Sequence, residues 1–355
     1  MSRARVARRI ARAAAYGGGG IGLVGGAAVG LLLTEVALAR RTVGGSDAVP
    51  PRADGRYGSV FAQLPYQPPG EPPLVLGFLG DSTAAGQGVH RARETPGALL
   101  ASGLAAVAER PVKLINVANP GAMSDDLARQ VTQLLDGDGD GAPGEEVPVP
   151  DVCVIMIGAN DVTRRMPPAK SVRFLSDAVR RLREAGSEVI VGTCPDLGSV
   201  EPVYQPLRWV ARRLSRQLAA AQTIGVVGVG GRTVSLGDLL GPEFESRPRE
   251  MFGPDNYHPS AEGYATAAMA MLPTLCAALG LWPEEDRPDA RRGEGVLPVA
   301  QAAAEAAGEG GTEVAAAAGT LSGPRGRWAL LMRRRRRRLP GGEPVGVETA
   351  APAEP

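Results

Sequence analysis

The sequence predicts a doubly wound parallel α/β sheet, and three observations predict it. Short apolar runs recur along the middle of the chain, at residues 74–79, 112–117, within 151–161, at 188–192 and at 226–229. Segments with apolar residues at helical spacing separate these five runs. No hairpin signal joins one run to the next, so each return must cross over through a helix.

The elements follow in order. Leu74, Val75, Leu76, Phe78 and Leu79 are nearly continuous, the pattern of a strand buried on both faces, and they end in Gly80-Asp81-Ser82. Ser82 thus falls just past a carboxyl strand end, where open α/β sheets bind ligands, and Gly80, Gly86 and Gly88 permit a tight loop after it. Thr95 to Glu109 carries Leu99, Leu100, Leu104 and Val107 at helical spacing, closed by Pro111. Val112 to Val117 is the second strand, running into the turn Asn119-Pro120-Gly121. Ser124 or Asp125 then caps a helix through Leu135. The run VCVIMI within Asp151 to Asp161 is the third strand and ends in Gly158-Ala159-Asn160-Asp161. A helix from Ser171 to Ala185, a strand from Glu188 to Gly192, a basic helix from about Leu207 to Gln222 and a fifth strand near Val226 to Val229 continue the alternation. An apolar helix from Ser260 to about Leu279 ends the domain.

Composition sets limits. The chain has 355 residues, enough for one or two domains, and only 4% aromatic residues, so Val, Leu, Ile and Ala must build the core. A net charge of +1 argues against a general nucleic-acid binder. Cys153, Cys194 and Cys276 have no C-x-x-C spacing and are odd in number, so they form no closed disulfide framework, and Cys153 reads as a small buried hydrophobe. The run Asp136 to Gly141, DGDGDG, begins like a calcium loop, but Val147 stands where a bidentate Glu is needed; a polar loop without metal is expected.

The ends differ from the middle. Arg3, Arg5, Arg8, Arg9 and Arg12 precede an uncharged stretch from Ala13 to Thr34, long enough as a helix to cross a hydrocarbon core of about 30 Å. Residues 1–41 are therefore expected to be a basic segment and single-pass membrane anchor, with the amino terminus cytoplasmic and the rest outside. The rival is a secretory signal cleaved near Ala37-Leu38-Ala39, which would release the protein. Gly18, Gly22, Gly26 and Gly30 form a G-x-x-x-G ladder that permits weak self-association. Residues 42–73, rich in Pro and Gly, read as a linker, 74–282 as the folded domain, and 283–355 as a low-complexity, mostly disordered tail with one Ala-rich helix near Val299 to Ala307. Arg333 to Arg338 beside Trp328 form a solvated basic run; docking of that run on the inner leaflet would invert the topology.

Chemistry is sought where polar residues gather. A serine hydroxyl needs a base, usually histidine, and only His90 and His258 exist. His90 follows Ser82 too closely along one loop and has no carboxylate at a suitable offset. His258 has Asp255 three residues before it, placed to hold one ring nitrogen and leave the other for Ser82. The Asn160 amide, with the main-chain N–H groups of Ser82 and Gly121, could receive the oxygen of a tetrahedral intermediate. A nucleotide-binding reading of the glycine-rich loop fits poorly, because no Lys follows Gly86 or Gly88 and G-x-G-x-x-G is not completed.

On these residues the chain resembles the SGNH (GDSL-type) hydrolase family. Gly80-Asp81-Ser82, Gly121 in NVANPGAMSDDL, Asn160 in Gly-Ala-Asn-Asp, and Asp255-Asn256-Tyr257-His258-Pro259 match its four blocks in order, over about residues 74–280. Thr83 replaces the leucine of GDSL, and Asn119-Pro120 precedes the glycine where a small residue is commoner. The resemblance implies a three-layer α/β/α sandwich with a five-stranded parallel, flavodoxin-like sheet. It also implies a serine hydrolase of esters or thioesters, working without metal or organic cofactor, and the expected anchor points to lipid esters as the acyl esters cleaved. In it Ser82 is the nucleophile, His258 and Asp255 complete the triad, and Ser82, Gly121 and Asn160 form the oxyanion hole. Two other classes fit the same pattern: an acyltransferase that passes the acyl group to a sugar or alcohol, and a membrane-tethered binding protein without activity.

Overall fold

Strand β2 (Leu74–Gly80) is buried along its whole length, and the sheet is built outward from it. The computed structural model describes Gly30, Thr34, Glu35, Leu38 and residues 48–63, 72–137, 147–200, 203–237, 244, 246–281, 297–308 and 313–316. All of these fall in one compact unit, Met1–Arg287 with Leu297–Ala316. The second unit, Pro288–Val296 with Ala317–Pro355, including the polyarginine run, lies outside the described residues.

Five strands run parallel: β2, β3 (Val112–Asn116), β4 (Val152–Met156), β5 (Glu188–Gly192) and β6 (Arg232–Val234). They lie in the order β3-β2-β4-β5-β6, the flavodoxin-like winding, with its switch point between β2 and β4. The purely parallel five-stranded sheet expected from sequence is corrected to a mixed sheet of seven strands among the described residues. Antiparallel β1 (Gly55–Tyr57) borders β3, and antiparallel β7 (Glu313–Val314) borders β6. Both added strands come from segments that composition assigned to the linker and the tail. Side-chain contacts help to hold them: Asp54 Oδ1 accepts from Asn116 N at 2.7 Å at one edge, and at the other the Arg232 guanidinium pairs with the Glu313 carboxylate at 3.0 Å.

Alternation along the strands feeds two cores. Leu74, Leu76 and Phe78 of β2, with Val112, Leu114, Val152 and Val154, pack under α2 (Pro96–Ala108) and α8 (Ala261–Ala278). Leu79, Cys153, Ile155, Val189 and Val191 face the other way, onto α3 (Leu127–Asp136), α5 (Pro168–Glu184) and Val226 of α6 (Leu207–Gly228). Helices thus cover both faces. Each fully buried Leu or Phe contributes about 1.5–3 kcal/mol, and the two cores together fix the sheet as a rigid platform.

A second correction concerns the fifth strand. The run Val226 to Val229 ends α6 instead of pairing: Val226 to Gly228 belong to its last turn, Val229 caps it, and Val226 is fully buried on its inner face. The turn at Gly230, φ +84°, separates it from β6. The Ala-rich helix near residue 299 is present as α9 (Val299–Ala306), and its Ala303 and Ala306 are buried. Among the described residues no helix is long and apolar enough to cross a membrane. Of the expected anchor, only Gly30, Thr34, Glu35 and Leu38 are described; the rest of it, and the glycine ladder apart from Gly30, lie outside the described residues.

Candidate active site

Each loop leaving a carboxyl strand end near the switch point contributes a polar group. After β2 the chain turns directly into α1 (Ser82–Ala85), whose cap is Asp81, with Oδ1 accepting from Thr83 N at 2.9 Å. Ser82 is thereby held at the first turn of a helix, nearly buried. After β3 the chain runs through the turn at Gly121, φ +79°. After β4 comes α4 (Ala159–Thr163), carrying Asn160, whose Nδ2 donates to Ala122 O at 3.0 Å. The amide group has a second hydrogen, and among the described residues the main-chain N–H groups of Ser82 and Gly121 take no part in the turns and caps.

The fourth contribution comes from farther along the sheet. Asp255 and His258 lie in the loop between α7 (Pro248–Met251) and α8, and this loop is pinned against the loop after α1. Tyr264 Oη donates to Gln87 O at 2.6 Å. Gly88, φ +103°, permits the approach, because a Cβ there would fall 2.6 Å from Pro259 O and 2.9 Å from His258 Cβ. Consequently His258 Nε2 stands 2.8 Å from Ser82 Oγ, and its Nδ1 stands 2.6 Å from Asp255 Oδ2. A carboxylate at Nδ1 fixes the tautomer in which Nδ1–H donates to it, leaving Nε2 free to accept the serine proton. His90 is exposed and takes no part in this contact.

Electrostatics differ among the buried groups. Burial pushes the Asp255 carboxyl up, but the His258 ring and the main-chain N–H groups of His258 and Tyr257 outweigh it and hold the pKa below the ordinary carboxylate value. Burial likewise raises Asp81, to about 6, because the Thr83 N–H and the nearby imidazole offset it only in part. Desolvation pushes the Cys153 thiol up to about 12, which leaves it inert as a nucleophile, in line with its place inside β4.

Sequence reasoning missed the residues that hold these groups in place. Asp161 is fully buried and accepts from Ser124 N at 3.0 Å, Ser124 Oγ at 2.5 Å and Ser171 Oγ at 3.0 Å, tying the Gly121 loop to α4. Gln130 grips both main-chain groups of Gly80, each at 2.8 Å. Ser124 therefore serves this cluster instead of capping the next helix, and nothing in the sequence near it marks that role. Among the described residues no cluster of His, Cys, Asp or Glu is placed to hold a metal. An apolar cavity of about 50 Å³ adjoins the site, walled by Asp81 and Thr83 on either side of Ser82, by Tyr257, and by Met156, Leu236 and Tyr264.

Comparison with known proteins supplies the family. Residues 78–266 match the GDSL-like Lipase/Acylhydrolase family. The chain is 42% identical over 252 residues to the GDSL-like esterase Rv1075c of Mycobacterium tuberculosis (strain ATCC 25618 / H37Rv), covering 70% of this chain and 77% of that one. Among solved structures it is similar to Axe2, an acetylxylan esterase from Geobacillus stearothermophilus, at 19% identity and a TM-score of 0.43, over 58% of this chain and 94% of that one. It is similar also to LAE5, an alpha/beta hydrolase enzyme from the metagenome of Lake Arreo, Spain, at 20% identity and a TM-score of 0.44, over 59% and 97%. With the family match spanning more than half of its length and a curated relative covered over most of its own, the chain belongs to the GDSL-like lipase/acylhydrolase family and is an ester-hydrolysing enzyme.

Proposed function

We propose that the enzyme cleaves acyl esters through a Ser82-His258-Asp255 triad and a covalent acyl-enzyme. The observation that carries this is the unbroken chain of contacts from Ser82 Oγ through the imidazole to Asp255, 2.8 Å and 2.6 Å long. Ser82 Oγ bonds to the acyl carbon while His258 Nε2 takes its proton, and the tetrahedral oxyanion is received by the N–H groups of Ser82 and Gly121 and the free amide hydrogen of Asn160. As the carbon–oxygen bond to the alcohol breaks, His258 returns the proton to the leaving oxygen. Water, deprotonated by the same imidazole, then attacks the acyl-enzyme, and the acid departs with Ser82 restored. Asp255 stays charged throughout, which suits its depressed pKa.

The substrates we propose are lipid esters met at a bilayer, with residues 1–41 as the anchor and the domain held outside the cell. Glu35, the first charged residue after the uncharged stretch, accepts from Leu207 N at 2.8 Å at the start of α6. Because α6 follows β5 and returns to the parallel β6, its start lies toward the carboxyl ends of the strands, the side that carries Ser82. A tether leaving the membrane there would set the site toward the lipid. The test is labelling of the full chain by an active-site fluorophosphonate, with the modified residue mapped by mass spectrometry. Label on Ser82, abolished in His258→Ala, is the expected result; label elsewhere with full activity in Ser82→Ala would end the proposal. Flotation with vesicles, compared before and after removal of residues 1–41, tests the anchor.

A further inference from the structure

Arg164 follows α4 directly, four residues after Asn160, and its N–H donates to Asn160 O at 2.9 Å. Residues at that spacing project from the same side of a helical turn. Its guanidinium reaches across to the neighbouring loop: beyond the adjoining residues of its own chain, the space where a Cβ on Gly121 would sit is bordered within 4 Å only by Arg164 Nη2, at 3.4 Å. A cation therefore stands between the two loops that carry Gly121 and Asn160.

This side chain is exposed, and among the described residues it makes no ion pair. Two carboxylates on these loops are engaged elsewhere: Asp161 by Ser124 and Ser171, and Asp126 by Met123 N at 2.9 Å. A guanidinium is always charged, and its planar fork matches a carboxylate or phosphate. A neutral ester gives that fork nothing to bind. An ester with an anionic group close to the scissile carbonyl would supply the missing partner.

We infer that Arg164 forms an anion subsite at the rim of the proposed oxyanion hole and selects acyl esters that carry a carboxylate or phosphate near the reacting carbonyl. The inference rests on the assignment of Gly121 and Asn160 above. It makes Arg164 a specificity residue: it acts on the substrate's charge, and the bond-making steps proceed without it.

Three acetates of the same phenolic type separate the outcomes: methyl para-acetoxybenzoate, para-acetoxybenzoate and para-acetoxyphenyl phosphate, assayed with the full-length enzyme, Arg164→Gln and Arg164→Lys. Arg164→Gln is expected to lower kcat/KM for an anionic ester roughly tenfold or more beyond its effect on the methyl ester, with Arg164→Lys between the two. The anionic ester that responds tells carboxylate from phosphate. In the unmodified enzyme, added salt should depress kcat/KM for that anionic ester and spare the methyl ester, a readout that stands even if the variants fail to fold. Equal losses on all three esters, or equal salt dependence, would overturn the subsite. Turnover of every ester by Ser82→Ala at the native rate would instead overturn the triad beneath it.

Discussion

Asp81 and Asp255 stand on either side of one contact, the first just before Ser82 and the second three residues before His258, and both are almost wholly buried. Burial pushes both carboxyls upward, yet they end on opposite sides of the ordinary value. Asp255 accepts from the imidazole and from two main-chain N–H groups, and is held low. Among the described residues Asp81 accepts from Thr83 alone, through its main-chain N–H and its hydroxyl, and rises to about 6. The difference teaches that the depth of a carboxylate's burial and the donors offered to it together, more than its distance from the reacting serine, decide whether it serves as a fixed negative charge.

The largest perturbation removes the group both carboxylates surround. Ser82→Ala should lower ester hydrolysis on the order of 10⁴-fold or more, read from initial rates. Asp255→Asn, which keeps the shape and removes the charge, should lower kcat on the order of 10³-fold or more, and Asp81→Asn should fall well short of that. Equal losses in the two variants would erase the contrast. Asn160→Ala should lower kcat on the order of 10²-fold, because one oxyanion donor is lost while the triad is left standing.

The smallest effect is on stability and distinguishes Asp81 by sign. An unfolded Asp loses its proton near 3.8, whereas Asp81 in the fold keeps it to about 6. Between these values the folded state binds more protons than the unfolded state, so stability falls as pH rises from about 4 to about 6. Asp81→Asn removes this dependence and still caps α1. Its stability relative to the native protein should therefore increase across that window, by at most about 3 kcal/mol, as measured by denaturant unfolding at each pH. A constant difference would show that Asp81 ionises normally.

Much of this arrangement was legible because it depends on local patterns. The runs at Leu74 and Val152 are apolar on both faces, and the polar residues just after them mark strand ends, so Ser82 and Asn160 could be placed on one sheet edge. The pairing of His258 with Asp255 needs only three residues of chain. Other features depend on contacts across the fold. Val226 to Val229 is as apolar as a strand, but only the packing of Val226 against Val179 shows it to be the last turn of α6. β1 and β7, three and two residues long, are too short to show alternation. Asp161 looked like ordinary turn chemistry until Ser124 and Ser171, from two other elements, closed on its carboxylate.

The seating of α9 and β7 bears on how the gene could be shortened. Thr233 and Val234 of β6 are paired by Val314 and Glu313, and Ala307 covers Leu218 and Ala219 of α6. A protein ending at residue 282, where low complexity begins, would expose that row of main-chain donors and acceptors and would be prone to stick to its own copies through it. Trimming after residue 316 keeps the border closed, so α9 and β7 are to be kept as part of the enzyme's body.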